Sequence, residues 1–268
     1  MTRLDVFLVE NNKFENRSQV SRAVKENRIT INGKVAKKAG IEVCDKDDIK
    51  IAPLKYNFVS RGGQKLQGAI NTFGLNLQGV EALDIGSSTG GFCDCLLQNG
   101  ASSVIAVDVG SNQLHTSLRK NAQITLFENT DFRQFELPKA SKPTFACGDL
   151  SFISLTKIIP HLSTFNSITS VVLLIKPQFE CGREIAEKNN GVIKDFKQHT
   201  KAINDVINCL HNYGYIVLGL APSCIVGGSG NIEYVIYSAK CGSEINVKDI
   251  IADVIKQAKI MAKGNKNV

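Results

Sequence analysis

The sequence predicts an α/β fold in which helices cover both faces of a mainly parallel sheet, preceded by a small α+β domain. From Val80 onward, apolar runs of strand length alternate with helical segments, which is typical of βαβ units. The first of these runs leads into a glycine-rich turn that opens a helix. Basic residues are concentrated before residue 66, so the 268-residue chain is predicted to form two domains.

Charge separates these two parts of the chain. Residues 1–65 carry 14 lysines and arginines against 8 acidic residues, whereas the remaining 203 residues carry 18 against 17. A basic domain attached to a nearly neutral one is typical of a module that binds a polyanion. A lysine-rich surface without a binding role is the alternative interpretation.

Composition is that of an ordinary globular protein, with 43% hydrophobic and 21% charged residues. No stretch approaches the ~20 apolar residues that span a bilayer. Residues 1–5 lack the basic and apolar regions of a secretory signal. We therefore expect a cytoplasmic protein with no membrane partner, and a monomer is the default expectation.

The cysteines and histidines do not predict a metal site. The eight cysteines include no C-x-x-C pair, and Cys93 and Cys95 have the wrong spacing for a zinc knuckle. None of the four histidines lies at ligand spacing from a cysteine. A chain of this length buries a core without disulfides, so we expect buried, reduced thiols and no bound metal.

The basic part predicts two short helices followed by short strands. Apolar residues recur at helical spacing over 4–8 and again over 17–25, where the basic residues lie on the opposite face. Strand-like alternation follows over 28–34 and 48–51, and Asn32-Gly33 is the signature of a tight hairpin turn. This order predicts a compact α+β unit with one basic face.

This order resembles the S-four type (alpha-L) RNA-binding domain over roughly residues 2–56. The match is carried by Arg3-Leu4-Asp5, Arg17-Ser18, Arg22-Ala23 and Asn32-Gly33-Lys34. The resemblance implies a domain over 1–56 that binds structured RNA, with guanidinium groups on phosphates. The candidate RNA-binding residues are Arg3, Arg17, Arg22, Lys25 and, in a predicted linker over 57–64, Arg61. A solvated helix face is the alternative.

In the second part, a predicted strand over 80–85 runs into the glycine-rich turn. The next apolar run, 104–107, ends at Asp108, about 20 residues further on, where an acidic residue suits a ribose diol. No Gly-Lys-Ser/Thr follows the turn, so it is not a P-loop. The third glycine of the dinucleotide fingerprint is also missing, and Asp84 would repel a pyrophosphate. A cationic nucleoside such as S-adenosyl-L-methionine fits this pattern better.

Three further polar residues follow or lie within apolar runs of the predicted sheet. Asp149 follows 145–148, Lys176 follows 171–175, and Glu233 lies in a strand-like segment. Ligands of open α/β sheets bind at the carboxyl ends of the strands, and a lysine in apolar surroundings can become a base. Each residue alone could be an ordinary surface charge at a strand end.

Taken together, the motifs look like the TlyA (hemolysin A) family of rRNA 2'-O-methyltransferases, whose catalytic domain is FtsJ-like and Rossmann-like. They occur in the family's order: SRGGQKL (60–66), DIGSSTGGF (84–92), VDVG (107–110), DLSFIS (149–154), IKPQFE (175–180) and GNIEY (230–234). The resemblance implies a catalytic domain over 65–268 that methylates cytidine 2'-hydroxyls in ribosomal RNA. Large-subunit 23S rRNA is the expected substrate, with small-subunit 16S rRNA an open second one.

The resemblance also implies the site residues. The family's Lys-Asp-Lys-Glu tetrad falls on Lys65, Asp149, Lys176 and Glu233. The candidate cofactor-binding residues are Asp84, Gly86, Ser87, Thr89, Gly90, Gly91, Phe92, Asp108, Val109, Asp131 and Asp149. We expect Lys176 to act as the base or to orient the hydroxyl, with Asp149 beside it, Lys65 on the ribose and Glu233 holding Lys176.

Two alternative functions remain open at this point. A non-catalytic RNA-binding factor of ribosome assembly could retain the same fold. A membrane-lytic hemolysin is suggested only by the family's older label, and the sequence has no long apolar or strongly amphipathic basic segment. Base methylation is not favoured, because the Asn/Asp-Pro-Pro-Tyr/Phe and Pro-Cys motifs of base methylators are absent.

Overall fold

A computed structural model of the protein describes residues 1–25, 27–52 and 57–264. The chain divides into two compact units, Met1–Asn57 and Phe58–Val268. The predicted boundary at residue 56 lies outside the described residues. We describe each unit by itself.

The first unit is the predicted α+β domain. Its apolar residues, among them Leu4, Leu8, Val20 and Ile29, form one small core. Asn32 and Gly33 both have positive φ, as the tight turn between two short strands requires. Its elements are β1 (Thr2–Arg3), α1 (Leu4–Glu10), α2 (Arg17–Lys25), β2 (Ile29–Ile31), β3 (Lys34–Val35), β4 (Glu42–Val43) and β5 (Ile49–Ile51). Strand β1 pairs with β4, and a second sheet has the order β3-β2-β5. The predicted helices and hairpin are confirmed.

The second unit contains a seven-stranded sheet of order β11-β12-β10-β9-β6-β7-β8. Its elements are α3 (Arg61–Phe73), β6 (Glu81–Ile85), α4 (Gly91–Gln98), β7 (Ser103–Val107), α5 (Thr116–Arg119), β8 (Ile124–Phe127), β9 (Phe145–Gly148), α6 (Ile159–Leu162), β10 (Ser170–Ile175), α7 (Pro177–Glu180), α8 (Arg183–Lys188), α9 (Phe196–Asn212), β11 (Ile216–Pro222), β12 (Tyr234–Ala239) and α10 (Val247–Gly264). Strands β6 to β10 pair in parallel, while β12 runs antiparallel to both of its neighbours.

Helices pack on both faces of this sheet, as predicted. Successive strand residues point to opposite faces, so Leu83 and Ile85 join a core with α9 and α10, whereas Ala82 joins another with α3 and α4. Both cores are apolar and buried. This arrangement confirms the α/β, Rossmann-like sheet and leaves the ends of its strands accessible to polar side chains.

Two predictions need correction. Residues 61–64 of the predicted linker form the first turn of α3, although Gly62 and Gly63 disfavour a helix by propensity. Tertiary packing decides here, since the ring of Phe58 lies where a side chain at residue 63 would be. The expectation of buried thiols is also incomplete: Cys93, Cys95 and Cys147 are buried, but Cys224 and Cys241 are exposed.

Among the residues that the structure describes, no helix is both long and apolar enough to cross a membrane.

Candidate active site

The sheet and helix α3 bring the four tetrad residues together. Lys65 lies in the second turn of α3, Asp149 directly follows β9, and Lys176 directly follows β10. Glu233 comes directly before β12 rather than inside a strand, which corrects the sequence-based placement. Because β12 runs antiparallel to β10, with Ile175 opposite Tyr234, its first residues reach the same edge of the sheet as the ends of the parallel strands.

Asp149 bridges the two lysines. Its Oδ1 lies 2.7 Å from Nζ of Lys176, and its Oδ2 lies 3.0 Å from Nζ of Lys65. Nζ of Lys65 is also 2.8 Å from Oε2 of Glu233. Glu233 therefore pairs with Lys65, and the expectation that it holds Lys176 is wrong. The reason is geometric, since Lys65 enters from α3 into the space that Glu233 faces.

The two lysines have different surroundings. Burial disfavours the charged form of Lys65, but the carboxylates of Asp149 and Glu233 outweigh that effect and raise its pKa. Lys65 is thus a permanent cation. Among the described residues, Lys176 pairs with one carboxylate, that of Asp149, and its Nζ also donates to the hydroxyl of Ser151 at 2.9 Å. Both lysines are nearly buried, but the hydroxyl that Lys176 contacts belongs to Ser151, which is exposed.

Glycines allow the backbones of helices α3 and α4 to come into close contact. A Cβ atom at Gly91, the first residue of α4, would lie 2.2 Å from Oγ of Ser60 and 2.8 Å from the backbone nitrogen of Gly63. A side chain cannot be accommodated at that distance. The role of Gly91 is therefore to seat α3, which carries Lys65, against the glycine-rich loop.

The loop before α4 and the residue after β7 form one hydrogen-bonded unit. Asp108 accepts from the backbone N–H groups of Ser88 and Gly110, both at 2.7 Å. Gly86, Ser88 and Gly90 have positive φ, and the N–H groups of residues 86 and 87 bind the carbonyl of Val107. The carboxylate of Asp108 is thereby fixed at the mouth of the loop and remains partly exposed.

Other predicted cofactor residues surround this loop. Thr89 is exposed and Val109 is 71% exposed, so both present surface to a ligand, whereas Phe92 is buried in the core beneath. Asp131 caps the turn at Phe132–Gln134 and pairs with Arg133, which lowers the pKa of its carboxyl. The neighbouring Thr130 binds the carbonyl of Asp108, so Asp131 lies near the same edge of the sheet.

Asp84 does not belong to the exposed part of the site. It lies in the middle of β6 with no exposed surface, and its carboxyl accepts from the thiol of Cys93 at 3.0 Å. Burial raises the pKa of Asp84 to about 7. Its side chain points into the layer between β6 and α4, so its burial does not support the predicted contact of Asp84 with a cofactor.

The loop after β9 contains two functional candidates that sequence reasoning named in a motif but gave no role. Phe152 is 92% exposed, has a φ of +65° and packs on Phe179 with ring centroids 5.1 Å apart. Nζ of Lys176 lies 5.6 Å from the centre of the Phe179 ring. A bulky residue with positive φ is strained. The hydroxyl of Ser151 is the second candidate.

A partly buried carboxyl fixes the loop after β9 to the segment that carries Lys176. Glu180, at the end of α7, accepts from the N–H of Leu155 at 2.9 Å and from the hydroxyl of Ser154 at 2.5 Å. Burial raises the pKa of the Glu180 carboxyl. The segments 149–155 and 176–180 are therefore joined at one end by Asp149 and Lys176 and at the other end by Glu180.

Comparisons with known proteins identify this arrangement. Residues 58–240 match the FtsJ-like methyltransferase model, and residues 2–49 match the S4 domain. The chain is 40% identical over 194 residues to the 23S rRNA (cytidine-2'-O)-methyltransferase TlyA of Campylobacter jejuni, covering 72% of this chain and 76% of that one. It is 33% identical over 239 residues to the 16S/23S rRNA (cytidine-2'-O)-methyltransferase TlyA of Mycobacterium tuberculosis, covering 88% of each.

A solved structure named as a hemolysin from Streptococcus thermophilus is similar over nearly the whole chain. Its TM-score is 0.74 at 38% identity, covering 99% of this chain and 98% of that one. The chain belongs to the TlyA family of FtsJ-like methyltransferases. The predicted family and fold are thus confirmed.

In the S4 domain, two predicted RNA-binding arginines are already paired. Asp5 is buried and accepts from Arg3 at 3.0 Å and from Arg17 at 2.9 Å. The hydrogen bond from Arg3, together with Arg17, holds the pKa of Asp5 well below its usual range despite burial. The side chains of Arg3 and Arg17 remain more than half exposed. Asp5 therefore fixes the orientation of the two arginines and leaves part of each guanidinium group open to solvent.

The other predicted RNA-binding residues differ in placement. Lys25 is exposed at the end of α2, and Arg22 lies on the same helix, although its side chain lies outside the described residues. Arg61 belongs to the FtsJ-like unit, where its guanidinium donates to the carbonyl of Val226 at 2.8 Å. It thus ties α3 to the loop before Glu233, a structural contact that the sequence did not indicate.

Within the described residues, no group of three or more histidines, cysteines and acidic residues is arranged to hold a metal ion.

The burial of Asp84 predicts an unusual pH dependence of stability. In the unfolded chain this carboxyl loses its proton near pH 4, whereas in the folded protein it keeps it to about pH 7. The stability that depends on this protonated carboxyl is therefore fully present below pH 4 and decreases as the pH rises from 4 to about 7. Asp84→Asn should gain stability relative to wild type across that interval, by roughly 4 kcal/mol.

Urea denaturation at pH 4.5, 6 and 8, followed by tyrosine fluorescence, measures this effect. The fluorescence reports mainly on the unit that contains Asp84, because four of the five tyrosines lie after residue 57. Asp253→Asn, which changes an exposed carboxylate on α10, is the matched control. A difference between Asp84→Asn and wild type that does not change with pH would contradict the prediction.

Proposed function

We propose that this protein is an S-adenosyl-L-methionine-dependent rRNA (cytidine-2'-O)-methyltransferase, with 23S rRNA as substrate and 16S rRNA as a second substrate to be tested. The observation that carries the proposal is the intact tetrad, in which the carboxylate of Asp149 bridges Lys65 and Lys176. Nζ of Lys176 also binds the hydroxyl of the exposed Ser151, so a substrate hydroxyl can bind at the same place. The relatives from Campylobacter and Mycobacterium, which are named for this reaction, support the same proposal.

The glycine-rich loop fits S-adenosyl-L-methionine. Oγ of Ser87 is buried in this loop and has no hydrogen-bond partner among the described residues. Asp108 offers a fixed, partly exposed carboxylate for a ribose diol, and the side chain of Val109 offers apolar surface beside it. The backbone of residues 86–90 would hold the amino-acid end. When bound, the cofactor supplies a methyl group that the positive sulfur has already activated.

The chain's own residues must then place and deprotonate a ribose hydroxyl. Alignment of the reacting atoms and acceptance of one proton are the two tasks of such a site. Lys65 remains charged and is occupied by two carboxylates, so it orients Asp149 and Glu233 rather than accepting a proton. For this step Lys176 must be a neutral amine, which accepts the proton of the hydroxyl bound in the place that Ser151 now fills. The ammonium that forms is then held by the carboxylate of Asp149.

An exposed aromatic wall beside Lys176 suits a nucleobase. Nζ of Lys176 lies over the ring of Phe179, the ring of Phe152 packs on Phe179 at an angle of 48°, and Phe152 presents nearly all of its surface to solvent. Unpaired bases stack on such rings. A cytosine on this wall would bring its own ribose towards Lys176, which supports a nucleoside within RNA as the substrate.

The S4 domain supplies the contact with RNA phosphates. Arg3 and Arg17 keep open guanidinium edges, and Lys25 is exposed on the same unit. Phosphate contacts of this kind give affinity without reading sequence. The target nucleotide is then selected by the catalytic unit and by the shape of the RNA.

The first prediction tests the cofactor. Asp108→Ala removes the acceptor for the ribose and releases the N–H groups of Ser88 and Gly110. S-adenosyl-L-methionine should bind about ten- to a hundred-fold more weakly by calorimetry. Glu136→Ala, at an exposed position, should bind it normally. Wild-type affinity in Asp108→Ala would contradict this cofactor site.

The second prediction tests the RNA contact. Arg17→Ala and Lys25→Ala should each weaken rRNA binding and reduce the slope of its salt dependence by about one. Cofactor affinity should not change. Lys256→Ala, which removes an exposed lysine of α10, is the matched control. If both S4-domain variants bind rRNA as the control does, this domain is not the RNA anchor.

The third prediction tests the reaction itself. Lys176→Ala removes the group that orients the hydroxyl and accepts its proton, so methyl transfer to ribosomal subunits should fall by about 10²–10⁴-fold. Lys176→Arg should not restore it, because a guanidinium stays protonated and has a different shape. Lys157→Ala, at a nearby exposed lysine, should keep full activity.

Tritiated methyl transfer measures this effect, with 2'-deoxycytidine at the mapped site as a substrate control. Methylation of the deoxy substrate, or near-normal turnover by Lys176→Ala, would show that the ribose hydroxyl is not the nucleophile. Complete absence of methyl transfer by the wild-type protein would favour the non-catalytic assembly factor.

A further inference from the structure

Glu233 is buried and well placed although the chain before it is rich in glycine. The segment 223–232 joins β11 to β12 and contains Gly227, Gly228 and Gly230, the last with a φ of +87°. Oε1 of Glu233 lies where a side chain at residue 227 would be. Glycine gives a backbone much conformational freedom, so contacts on either side of Glu233 must hold it.

On the amino-terminal side, that contact is the side chain of Asn231. Its Oδ1 accepts from the N–H of Ile193 at 3.0 Å, and its Nδ2 donates to the carbonyl of Gly191 at 2.7 Å. Asn231 is 3% exposed. A buried amide that satisfies two backbone groups of another segment fixes the backbone only two residues before Glu233.

On the carboxyl-terminal side, the contact is the hydroxyl of Tyr234. It lies 2.6 Å from Nδ1 of His199, and Nε2 of His199 lies 2.8 Å from the carbonyl of Ile193. A carbonyl can only accept, so Nε2 carries the proton and Nδ1 accepts from the tyrosine. Both side chains are buried, and burial lowers the pKa of His199, which keeps the imidazole neutral.

Both anchors of Glu233 thus end on the same short segment, residues 191–199. We propose that Asn231 and the Tyr234–His199 pair are positioning residues that hold the Glu233 carboxylate against Lys65. This inference rests on the proposed function, because the tetrad is the site that they position. Neither anchor touches the reacting atoms.

The consequence for the reaction passes through Asp149. Lys65 contacts two carboxylates, and with Glu233 displaced it would keep only Asp149. The bridging carboxylate would then be drawn towards Lys65 and away from Lys176. The rate of methyl transfer should therefore fall while the binding of RNA and cofactor, which use other residues, is preserved.

Tyr234→Phe is the sharpest test, because it removes one oxygen atom and leaves Nδ1 of His199 without its donor. We expect kcat for methyl transfer to fall about tenfold, with unchanged KM for ribosomal subunits and unchanged calorimetric affinity for S-adenosyl-L-methionine. Tyr237→Phe makes the same chemical change on the same strand, where the ring stacks on Phe73, and should keep wild-type kcat.

A double-mutant cycle separates positioning from a general loss of stability. In a Glu233→Gln background, Tyr234→Phe should cause no further loss of kcat, because it acts through the carboxylate already removed. An equal loss in both backgrounds, or an unchanged kcat in Tyr234→Phe, would overturn the inference. Asn231→Ala, judged by the same criteria, replaces Tyr234→Phe if that variant does not fold.

The outcome is distinguishable from a failure of the proposed function. Absence of methyl transfer by the wild-type protein would overturn the proposed function itself. Wild-type activity that depends on Lys176 but not on Tyr234 or Asn231 would overturn only this inference.

Discussion

The carboxylate of Asp149, shared between Lys65 and Lys176, is the interaction on which the site depends. Two cations lie within 3.0 Å of one acidic side chain, and Glu233 supplies the second negative charge. Burying charges is costly unless they are paired and balanced. The group of four is neutral as a whole, which explains how three of its members can be almost completely buried at the edge of an apolar sheet.

Parallel strands, an antiparallel strand and a helix bring these four charged residues together. Parallel strands β9 and β10 deliver Asp149 and Lys176 at their carboxyl ends, and the reversed strand β12 delivers Glu233 at its beginning. Lys65 comes from a helix, which must approach closely enough for a lysine to reach the carboxylates. The contact of Gly91 with the backbone of Gly63 provides that approach. Glycines that a sequence motif would assign to cofactor binding therefore also serve helix packing.

Acidic residues of the same type have opposite roles in this protein because their surroundings differ. Asp84 is enclosed between β6 and α4, where burial favours its protonated form. Asp108 lies only one strand away, but backbone N–H groups bind both of its oxygens and part of it faces solvent. Asp5 is buried as well, yet two arginines keep it ionised. Hydrogen-bond donors and solvent access, rather than residue type, decide which carboxylate can meet a ligand.

The sequence by itself determined the architecture, and the resemblance of its motifs to the TlyA family implied which four residues form the tetrad. Periodicity predicted α1, α2 and the strands β6, β7, β9 and β10, the Asn32-Gly33 dipeptide predicted a hairpin turn, and the ordered motifs predicted the family. These features depend on local spacing, which a sequence displays directly.

Only the tertiary structure decided which side chains face one another. It paired Glu233 with Lys65, turned Asp84 into the core, joined Arg3 and Arg17 to Asp5, and attached Arg61 to Val226. It also began α3 at Arg61, against the propensity of two glycines. Apart from the pair of Arg3 with Asp5, these contacts join residues that are at least nine positions apart in the chain, at distances of about 3 Å. Periodicity specifies the face on which a residue lies, but packing specifies the partner that it meets.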